Sequence, residues 1–215
     1  MTKILLVDDH DLVRTGIKRL LDDINDIDVV GEATCGEDAI KLASQHELDV
    51  ILMDINMPGM GGLEATRKLQ STNPELKIII VTMHEDDLFA QRLLKAGATG
   101  YLTKGAGVDE IVHAIKEVQQ NRRYISPDIA QQLALAQFPD HEGSPFDMLS
   151  ERELQVMMLL MDGHRVSEIS DKLCLSPKTV STYRHRLYDK LNVQNDIELT
   201  RLAMMHGVIE NNIPQ

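Results

Sequence analysis

Apolar residues in the first 121 positions form short continuous runs with amphipathic stretches between them. The runs are Ile4–Val7, Val29–Ala33, Val50–Met53, Ile78–Val81 and Gly100–Leu102. Apolar runs of this length are typical of strands buried on both faces. Between the runs, apolar residues recur at the spacing of helices. Five strands alternating with five helices predict an α/β domain whose parallel sheet is covered on both faces.

The alternating pattern stops after Asn121. Ser126 followed by Pro127 favours a helix start, and we expect a helix over about 127–137. Residues 138–146 combine proline, glycine and acidic residues, which is typical of a flexible linker. We therefore predict a first domain over 1–121, a linker over 122–148 and a second domain over 149–215.

The second domain has helical spacing throughout. Ser150 and Glu153 have the spacing of a capping box at a helix start. Farther on, two helical stretches, Val166–Leu173 and Pro177–Leu191, are joined by three residues, which is the spacing of a helix-turn-helix. The second stretch carries basic residues opposite an apolar stripe. Such a helix is suited to the major groove of DNA.

Polar residues stand at the ends of the predicted strands in the first domain. Asp8 and Asp9 follow the first strand, Asp54 follows the third, Thr82 follows the fourth and Lys104 follows the fifth. These ends meet at one edge of a parallel sheet. Three carboxylates there would repel one another without a cation, and oxygen ligands suit Mg²⁺. Asp54 could then attack a phosphoryl group that Thr82 and Lys104 bind.

Charge and hydropathy narrow the classes of function. The net charge of −12 by itself argues against nucleic-acid binding, but residues 150–215 are near neutral, with eight Lys and Arg against nine Asp and Glu. No apolar run is long enough to cross a membrane, and acidic residues come too early for a signal peptide. Cys35 and Cys174 lack metal-ligand spacing, and we expect packed thiols in a reducing compartment, the cytoplasm.

Residues 1–121 resemble the receiver domain of response regulators. The resemblance is carried by four segments: Val7–His10, Met53–Pro58, Val81–Thr82 and Gly100–Lys104. It implies a flavodoxin-like, doubly wound, five-stranded parallel sheet in the order 2-1-3-4-5, with the phosphoacceptor at the carboxyl ends of its strands.

The receiver resemblance also implies a role for each residue of the pocket. Asp54 would be the phosphoacceptor, and Lys104 would bind a phosphoryl oxygen. Thr82 and Tyr101 would form a switch pair, in which Thr82 moves to the phosphoryl group and Tyr101 turns inward. The implied Mg²⁺ ligands are Asp8, Asp9, Asp54 and the backbone carbonyl of Asn56. Asn56 and His84 would line the path of the water that ends the phosphorylated state, and they would tune its lifetime.

The segment from Leu149 to Asn192 resembles the LuxR/FixJ class of helix-turn-helix. Leu149–Glu153 opens it, and Leu175–Val180 starts the recognition helix. By position, the residues implied to face the bases are Ser181, Thr182 and His185. Those implied to hold phosphates are Lys178, Thr179, Arg184 and Arg186. The chain departs from the class at Arg165–Ser170, where we expect a helix without a side-chain cap at its start.

The whole chain resembles NarL/FixJ response regulators with a LuxR-type helix-turn-helix, and within them the GacA/UvrY/SirA branch, chiefly through Ile169–Val180. That resemblance implies a sensor histidine kinase as phosphodonor, promoters of small regulatory RNA genes as targets, and RNA polymerase as a further partner. Phosphorylation at Asp54 would favour a homodimer on promoter DNA. Apart from taking up its own phosphoryl group and slowly losing it, the chain is not expected to be an enzyme.

Other readings of these patterns exist. A phosphatase of the haloacid-dehalogenase kind also has a nucleophilic Asp after a parallel strand, but it needs an acid where this chain has Asn56. A module that binds only protein or RNA is disfavoured by the helix-turn-helix spacing. The apolar residues of 196–206 could complete a four-helix core or pair with a second copy of the chain. The sequence does not decide whether the apolar residues of 196–206 complete the core or pair with a second copy.

Overall fold

A computed structural model describes residues 1–83, 87–135, 144–206 and 208, with backbone alone at 87–89. The chain divides into two compact units, Met1–Leu135 and Ala136–Gln215. The predicted boundaries of 121 and 149 are not settled by this division and stay a prediction. Most of the predicted flexible linker, 138–143, lies outside the described residues, as does His84.

The first unit is built on a parallel sheet in the order β2-β1-β3-β4-β5-β6. Its strands are β1 Thr2–Val7, β2 Ile27–Ala33, β3 Val50–Met53, β4 Lys77–Thr82, β5 Gly100–Thr103 and β6 Tyr124–Ile125. The predicted fold and the order 2-1-3-4-5 are confirmed. The sixth strand was not anticipated: it pairs Tyr124 with Gly100 in a segment that we assigned to the linker. A strand of two half-buried residues is too short to give a recognisable pattern in the sequence.

Helices cover both faces of this sheet. They are α1 Asp11–Asp22, α2 Gly36–Gln45, α3 Gly62–Thr72, α4 Asp87–Lys95, α5 Val108–Gln119 and α6 Pro127–Leu135. Helix α6 begins at the predicted proline, but the Ser126 side chain does not cap it. The Ser126 hydroxyl is buried without a hydrogen-bond partner among the described residues. The first turn is instead closed by the Ser126 carbonyl, which accepts from Ala130 N at 2.9 Å.

Burial of the strands on both faces fixes where their ends lie. Ile4 and Leu6 pack on the side of α1 and α5, whereas Leu5 is fully buried on the other side of the sheet. In the ladders, Val7 is opposite Met53 and Met53 is opposite Ile80. Because the last residues of β1 and β3 are neighbours, the residues that follow these strands are brought side by side.

The second unit is helical. A short 3-10 helix, Pro145–Met148, precedes α7 Glu151–Met161, α8 Val166–Lys172, α9 Pro177–Leu191 and α10 Asp196–Met205. The predicted capping box of Ser150 and Glu153 is present at the start of α7. Helix α8 has no side-chain cap, as expected, although the Glu168 carboxylate accepts from Arg165 N at 2.7 Å.

The turn between α8 and α9 places Cys174 in the left-handed region, with φ of 53°. The side chain of Cys174 is exposed, so the expectation of a packed thiol is wrong for this residue, while Cys35 is half-buried. Both are free thiols. Among the helices that the structure describes, none is long and apolar enough to span a membrane.

Among the described acidic residues of the second unit, Glu153 is the most deeply buried, with 3% of the residue exposed. Its carboxylate accepts from Ser150 N at 2.7 Å and from Lys190 Nζ at 2.6 Å. Burial opposes the charged form, but the bonds from Lys190 and Ser150 outweigh it and hold the pKa of Glu153 below its ordinary value. A lowered pKa in the folded state means that the charged group stabilises the fold above the unfolded pKa of about 4.3 and ceases to do so at lower pH.

We therefore expect hydrogen-exchange protection of the α7 amides to fall as the pH drops below about 4.3. Glu153→Gln should weaken protection at neutral pH and flatten its dependence on pH in this range. Asp189→Asn, at an exposed position of α9, is the matched control and should behave like the wild type. An identical pH dependence of α7 protection in wild type and Glu153→Gln would contradict the assigned role of Glu153.

Candidate functional site

Three buried charged side chains meet at the carboxyl edge of the sheet. Lys104 Nζ lies 2.7 Å from Asp8 Oδ2 and 3.1 Å from Asp54 Oδ2. The side chains of Lys104 and Asp54 are each 4% exposed, and that of Asp8 is 7% exposed. The structure thus brings together residues 8, 54 and 104 from the ends of three strands, as the sequence predicted for this edge.

Backbone hydrogen bonds continue the strand ladders into this edge. Asp54 N donates to the Val7 carbonyl at 2.8 Å, and Lys104 N donates to the Thr82 carbonyl at 2.7 Å. The loop after Asp54 turns back so closely that a Cβ at Gly62 would lie 2.1 Å from the Asp54 carbonyl oxygen. Only glycine fits there, and the backbone around Asp54 is held from both sides.

The surroundings of Asp54 set its electrostatics. Burial raises the pKa of Asp54 to about 6, with the Asp8 carboxylate adding to the rise and Lys104 opposing it. Burial alone would lower the pKa of Lys104, but the two carboxylates raise it above the ordinary value, so Lys104 stays cationic. One oxygen of Asp54 also accepts from Ile55 N at 2.8 Å. The site is therefore a buried carboxylate oriented by fixed donors.

The acidic residues at this edge fit a divalent cation. Ligand atoms of Asp8, Asp9, His10 and Asp54 all lie within 4.8 Å of one another. Asp9 Oδ1 is buried and accepts no hydrogen bond of good geometry from the described residues, although His10 Nδ1 lies 3.1 Å away. It therefore retains its capacity as a ligand. Carboxylate oxygens are ligands that Mg²⁺ prefers. The donor set therefore suits the predicted ion.

The predicted switch and lifetime residues have different environments. Thr82 and Tyr101 are both fully buried, at the end of β4 and within β5. The Tyr101 ring thus already occupies the inward position. Asn56 is half-buried two residues after Asp54.

Two residues near the acidic edge have no role predicted from the sequence. His10 Nδ1 lies 3.3 Å from Asp8 Oδ1 and 3.1 Å from Asp9 Oδ1. Arg14 donates from Nη1 to the Asp8 carbonyl at 2.7 Å and from Nε to Glu32 at 3.0 Å. His10 directly follows the acidic pair, a signal that was available. The first turn of α1 brings Arg14 back to this edge. In the sequence, Arg14 therefore looks like any surface arginine.

In the second unit, helix α9 presents one exposed stripe. Lys178, Thr182 and His185 are exposed and recur at i, i+4 and i+7, with Arg186 exposed beside them. Ser181 and Thr179 are half-buried. The opposite side of the helix is apolar: Val180 and Leu187 are fully buried. The exposed stripe thus contains most of the residues predicted to contact DNA.

Two basic residues of α9 lie against their own unit. Arg184 Nε donates to Tyr188 OH at 2.7 Å and to Asp196 Oδ1 at 3.2 Å. Lys190, another basic residue of this helix, donates from Nζ to the buried Glu153 carboxylate. The predicted phosphate contact of Arg184 is not tested by the structure and stays a prediction, but its guanidinium already has an acidic partner.

Helix α10 divides its apolar residues between core and surface. Leu199 and Ala203 are fully buried. Ile197 is 81% exposed, Met205 is 73% exposed and Met204 is 39% exposed. The helix therefore contributes to the core of the unit and still presents apolar surface outside it.

Comparison with known families matches both units. The profile of the response regulator receiver domain matches residues 4–116. The profile of bacterial regulatory proteins of the luxR family matches residues 147–203. The first match spans more than half of the chain and contains the acidic edge, and the second contains α9.

Curated relatives match along almost the whole chain. The response regulator GacA of Pseudomonas aeruginosa is 57% identical over 211 residues, which are 98% of this chain and 99% of the relative. The response regulator UvrY of Escherichia coli is 54% identical over 209 residues, 97% of this chain and 96% of the relative. The similarity thus includes both units and the segment between them.

A solved structure to which this chain is similar is RcsB from Salmonella enterica serovar Typhimurium, bound to promoter rprA in the presence of the phosphomimetic BeF3⁻. It is 26% identical, has a TM-score of 0.58, and the match covers 94% of this chain and 98% of RcsB.

Proposed function

The chain belongs to the response regulators that join a receiver domain to a LuxR-type DNA-binding domain, in the GacA/UvrY branch, and it is a regulator of transcription. From this premise we propose that a phosphoryl group on Asp54 controls the binding of the second unit to promoter DNA. The observation that carries the proposal is the buried Asp54 carboxylate, oriented by Ile55 N and Lys104 at the carboxyl edge of the sheet.

The reaction at this edge is a phosphoryl transfer to a carboxylate. An Asp54 oxygen attacks the phosphorus of a phosphohistidine on a sensor histidine kinase. The P–N bond breaks as the P–O bond forms, and the electron pair of the broken bond stays on the imidazole nitrogen of the kinase. Lys104 is close enough to bind an oxygen of a phosphoryl group on Asp54, because Lys104 Nζ already lies 3.1 Å from Asp54 Oδ2. A preorganised cation of this kind stabilises developing charge without reorganisation.

The residues that would hold Mg²⁺ are Asp8, Asp9, Asp54 and the backbone carbonyl of Asn56. When bound, the ion supplies positive charge that neutralises the phosphoryl oxygens. Asp8 is also held by its own surroundings: Arg14 binds its carbonyl, and His10 N donates to its carboxylate at 2.8 Å. These contacts orient Asp8 before any ion arrives.

The contribution of Asp9 can be measured separately from phosphorylation. Asp9→Asn keeps the shape of the side chain but removes the charge, so we expect Mg²⁺ affinity to fall by roughly tenfold or more, the cost of weakening one charged ligand. Isothermal titration with Mg²⁺ alone tests this. Asp28→Asn, at an exposed position of β2, serves as the control with a similar loss of charge. Equal Mg²⁺ affinity in Asp9→Asn and Asp28→Asn would exclude Asp9 as a ligand.

The phosphoryl group would act on the second unit through a change in populations. We propose that Thr82 and Tyr101 carry the signal, since both are buried and stand on neighbouring strands. Occupancy of Asp54 then favours the state in which the chain binds DNA. Asn56 and His84 would tune how long this state lasts, and the chain would end it by slow self-dephosphorylation.

The DNA-bound form is proposed to be a homodimer. A single recognition helix reads few base pairs, and a chain with net charge −12 gains little from general attraction to phosphates. The exposed Ile197, Met204 and Met205 of α10 supply apolar surface that a second copy could cover. Two copies related by a two-fold axis would match an inverted repeat in the promoter.

The remaining partners follow from the branch to which the chain belongs. We propose a hybrid sensor histidine kinase as phosphodonor, promoters of small regulatory RNA genes as targets, and RNA polymerase as the partner at the promoter. Since DNA and polymerase are the partners, the chain would act in the cytoplasm.

The exposed residues of α9 are expected to contact DNA in two ways, some at the phosphates and some at the bases. Lys178→Ala and Arg186→Ala remove exposed cations, so each should weaken binding to all duplexes and flatten the dependence of log affinity on log salt by about 0.9. His185→Ala should instead lower preference for a selected duplex over a random one, by roughly 1–3 kcal/mol at one base pair. Fluorescence anisotropy at four salt concentrations measures both.

Lys172→Ala, at an exposed position of α8, controls for the loss of a positive charge outside α9. If His185→Ala and Lys178→Ala reduced affinity equally for selected and random duplexes, the reading of bases by α9 would be wrong.

A further inference from the structure

Arg184 lies in a three-residue cluster that connects α9 to α10. Its Nε donates to Tyr188 OH and to Asp196 Oδ1, and its Nη2 donates to Asp196 Oδ2. The Tyr188 hydroxyl in turn donates to Asp196 Oδ1. The guanidinium carbon is 5.4 Å from the centre of the Tyr188 ring. We call this cluster the Arg184 clamp.

The clamp holds the Arg184 guanidinium group on a side of α9 that differs from the exposed stripe. In a helix with 3.6 residues per turn, Lys178, Thr182 and His185 share one side, and Arg184 is displaced from the middle of that side by about a third of a turn. The Arg184 side chain is 33% exposed and that of Asp196 is 42% exposed. Both partners are thus partly withdrawn from water, and a bidentate pair fixes geometry as well as charge.

The clamp joins two helices that the chain connects by a tight turn. Helix α9 ends at Leu191, the next residue Asn192 has a φ of 53°, and Val193 N donates to the Tyr188 carbonyl at 3.1 Å. Helix α10 begins with Asp196, behind the Asn195 side chain that accepts from Glu198 N at 3.0 Å. Apolar packing by Val180 and Leu187 holds α9 against the unit but is not directional. The clamp adds a directional restraint on the rotation of α9 about its own axis.

We propose that Arg184 is a positioning residue of the DNA reader, the helical second unit that carries α9, and not a contact to DNA phosphate. Together with Tyr188 and Asp196, it fixes the rotation of α9 so that Ser181, Thr182 and His185 face the bases. This inference rests on the proposed function in one respect, that α9 enters DNA. It replaces the phosphate contact that position in the family pattern implies for Arg184.

Asp196→Asn distinguishes the two roles because they predict opposite signs. If Arg184 contacts phosphate, removing the carboxylate frees the guanidinium and removes a negative charge, so affinity for every duplex rises. If the clamp positions α9, affinity for a selected duplex falls by roughly tenfold, the discrimination that one good base contact provides. Affinity for a random duplex then changes no more than it does when the same charge is removed outside the clamp. Asp189→Asn, an exposed position on α9, removes the same charge outside the clamp and is the control.

Substitutions of Arg184 itself give the second readout. A lost phosphate contact flattens the salt dependence of log affinity by about 0.9, and a lost clamp leaves it unchanged. We expect Arg184→Gln to leave the salt slope unchanged and to lower the preference for the selected duplex. Arg184→Gln combined with Asp196→Asn should be no worse than either alone, because both remove one interaction.

The experiment uses the full chain treated with beryllofluoride, a duplex that this chain selects from a random-sequence pool, and a random duplex of equal length. Tyr188→Phe keeps the ring and its packing and removes only the hydroxyl bonds, so it should show a smaller loss of the same kind even if another variant fails to fold. Failure of the wild type to bind any duplex would overturn the proposed function. Wild-type binding with a greater increase in affinity for Asp196→Asn than for Asp189→Asn, or a flattened salt slope in Arg184→Gln, would overturn the clamp.

Discussion

Asp54→Asn is expected to abolish phosphoryl uptake by the chain. The asparagine side chain has almost the same size, so the bond from Ile55 N and the packing of the edge can persist. Its amide oxygen is a far weaker nucleophile than a carboxylate, and no acyl phosphate can form on it. Incubation with a small phosphodonor and Mg²⁺, followed by intact-mass measurement, should show one added phosphoryl group in the wild type and none in the variant.

The control for this experiment is Asp28→Asn, at an exposed position of β2. It removes the same charge from the same unit and should be phosphorylated like the wild type. Phosphoryl uptake by Asp54→Asn at the wild-type level, with an added group located on Asp8 or Asp9, would show that the phosphoacceptor had been assigned to the wrong carboxylate.

The isolated second unit is expected to bind DNA without any phosphoryl group, at least as well as the full unphosphorylated chain. If the receiver restrains the DNA reader until Asp54 is phosphorylated, removing the receiver removes the restraint. Coupling between sites of this kind is generally worth 1–3 kcal/mol, so an increase in affinity of about 5- to 150-fold is expected. The fragment should start at residue 144, because Phe146 is fully buried and contacts His206.

Anisotropy measurements on one selected duplex compare the fragment with the full chain at equal salt. Circular dichroism of the fragment provides the control, since α7 to α10 should remain helical on their own. Markedly tighter binding by the full unphosphorylated chain would mean that the receiver assists the DNA reader instead of restraining it.

The sequence predicted the sheet and its acidic edge because both depend on a strong local pattern. Runs such as Ile78–Val81 are buried on both faces, and only a parallel sheet covered by helices accommodates several of them. Once the strands are parallel, Asp8, Asp54 and Lys104 must lie at one edge. The close approach seen between them follows from ladder register, in which Val7 is opposite Met53.

Other features could not be predicted because they depend on contacts between distant positions. Arg184 and Asp196 are separated by a turn, and an arginine on α9 has the same local pattern whether it faces DNA or a neighbouring helix. The pairing of Lys190 on α9 with Glu153 on α7 could not be predicted for the same reason. The strand Tyr124–Ile125 forms only because β5 offers a free edge. Local spacing carries no signal for any of these three contacts.

Control of DNA binding by the Asp54 phosphoryl group is tested most directly by one affinity measurement. Binding of the full chain to a selected duplex is measured with and without beryllofluoride, in the wild type and in Asp54→Asn. Beryllofluoride should raise wild-type affinity by about 5- to 150-fold and should leave that of Asp54→Asn unchanged. No rise in the wild type, or an equal rise in Asp54→Asn, would contradict control of the DNA reader by this carboxylate.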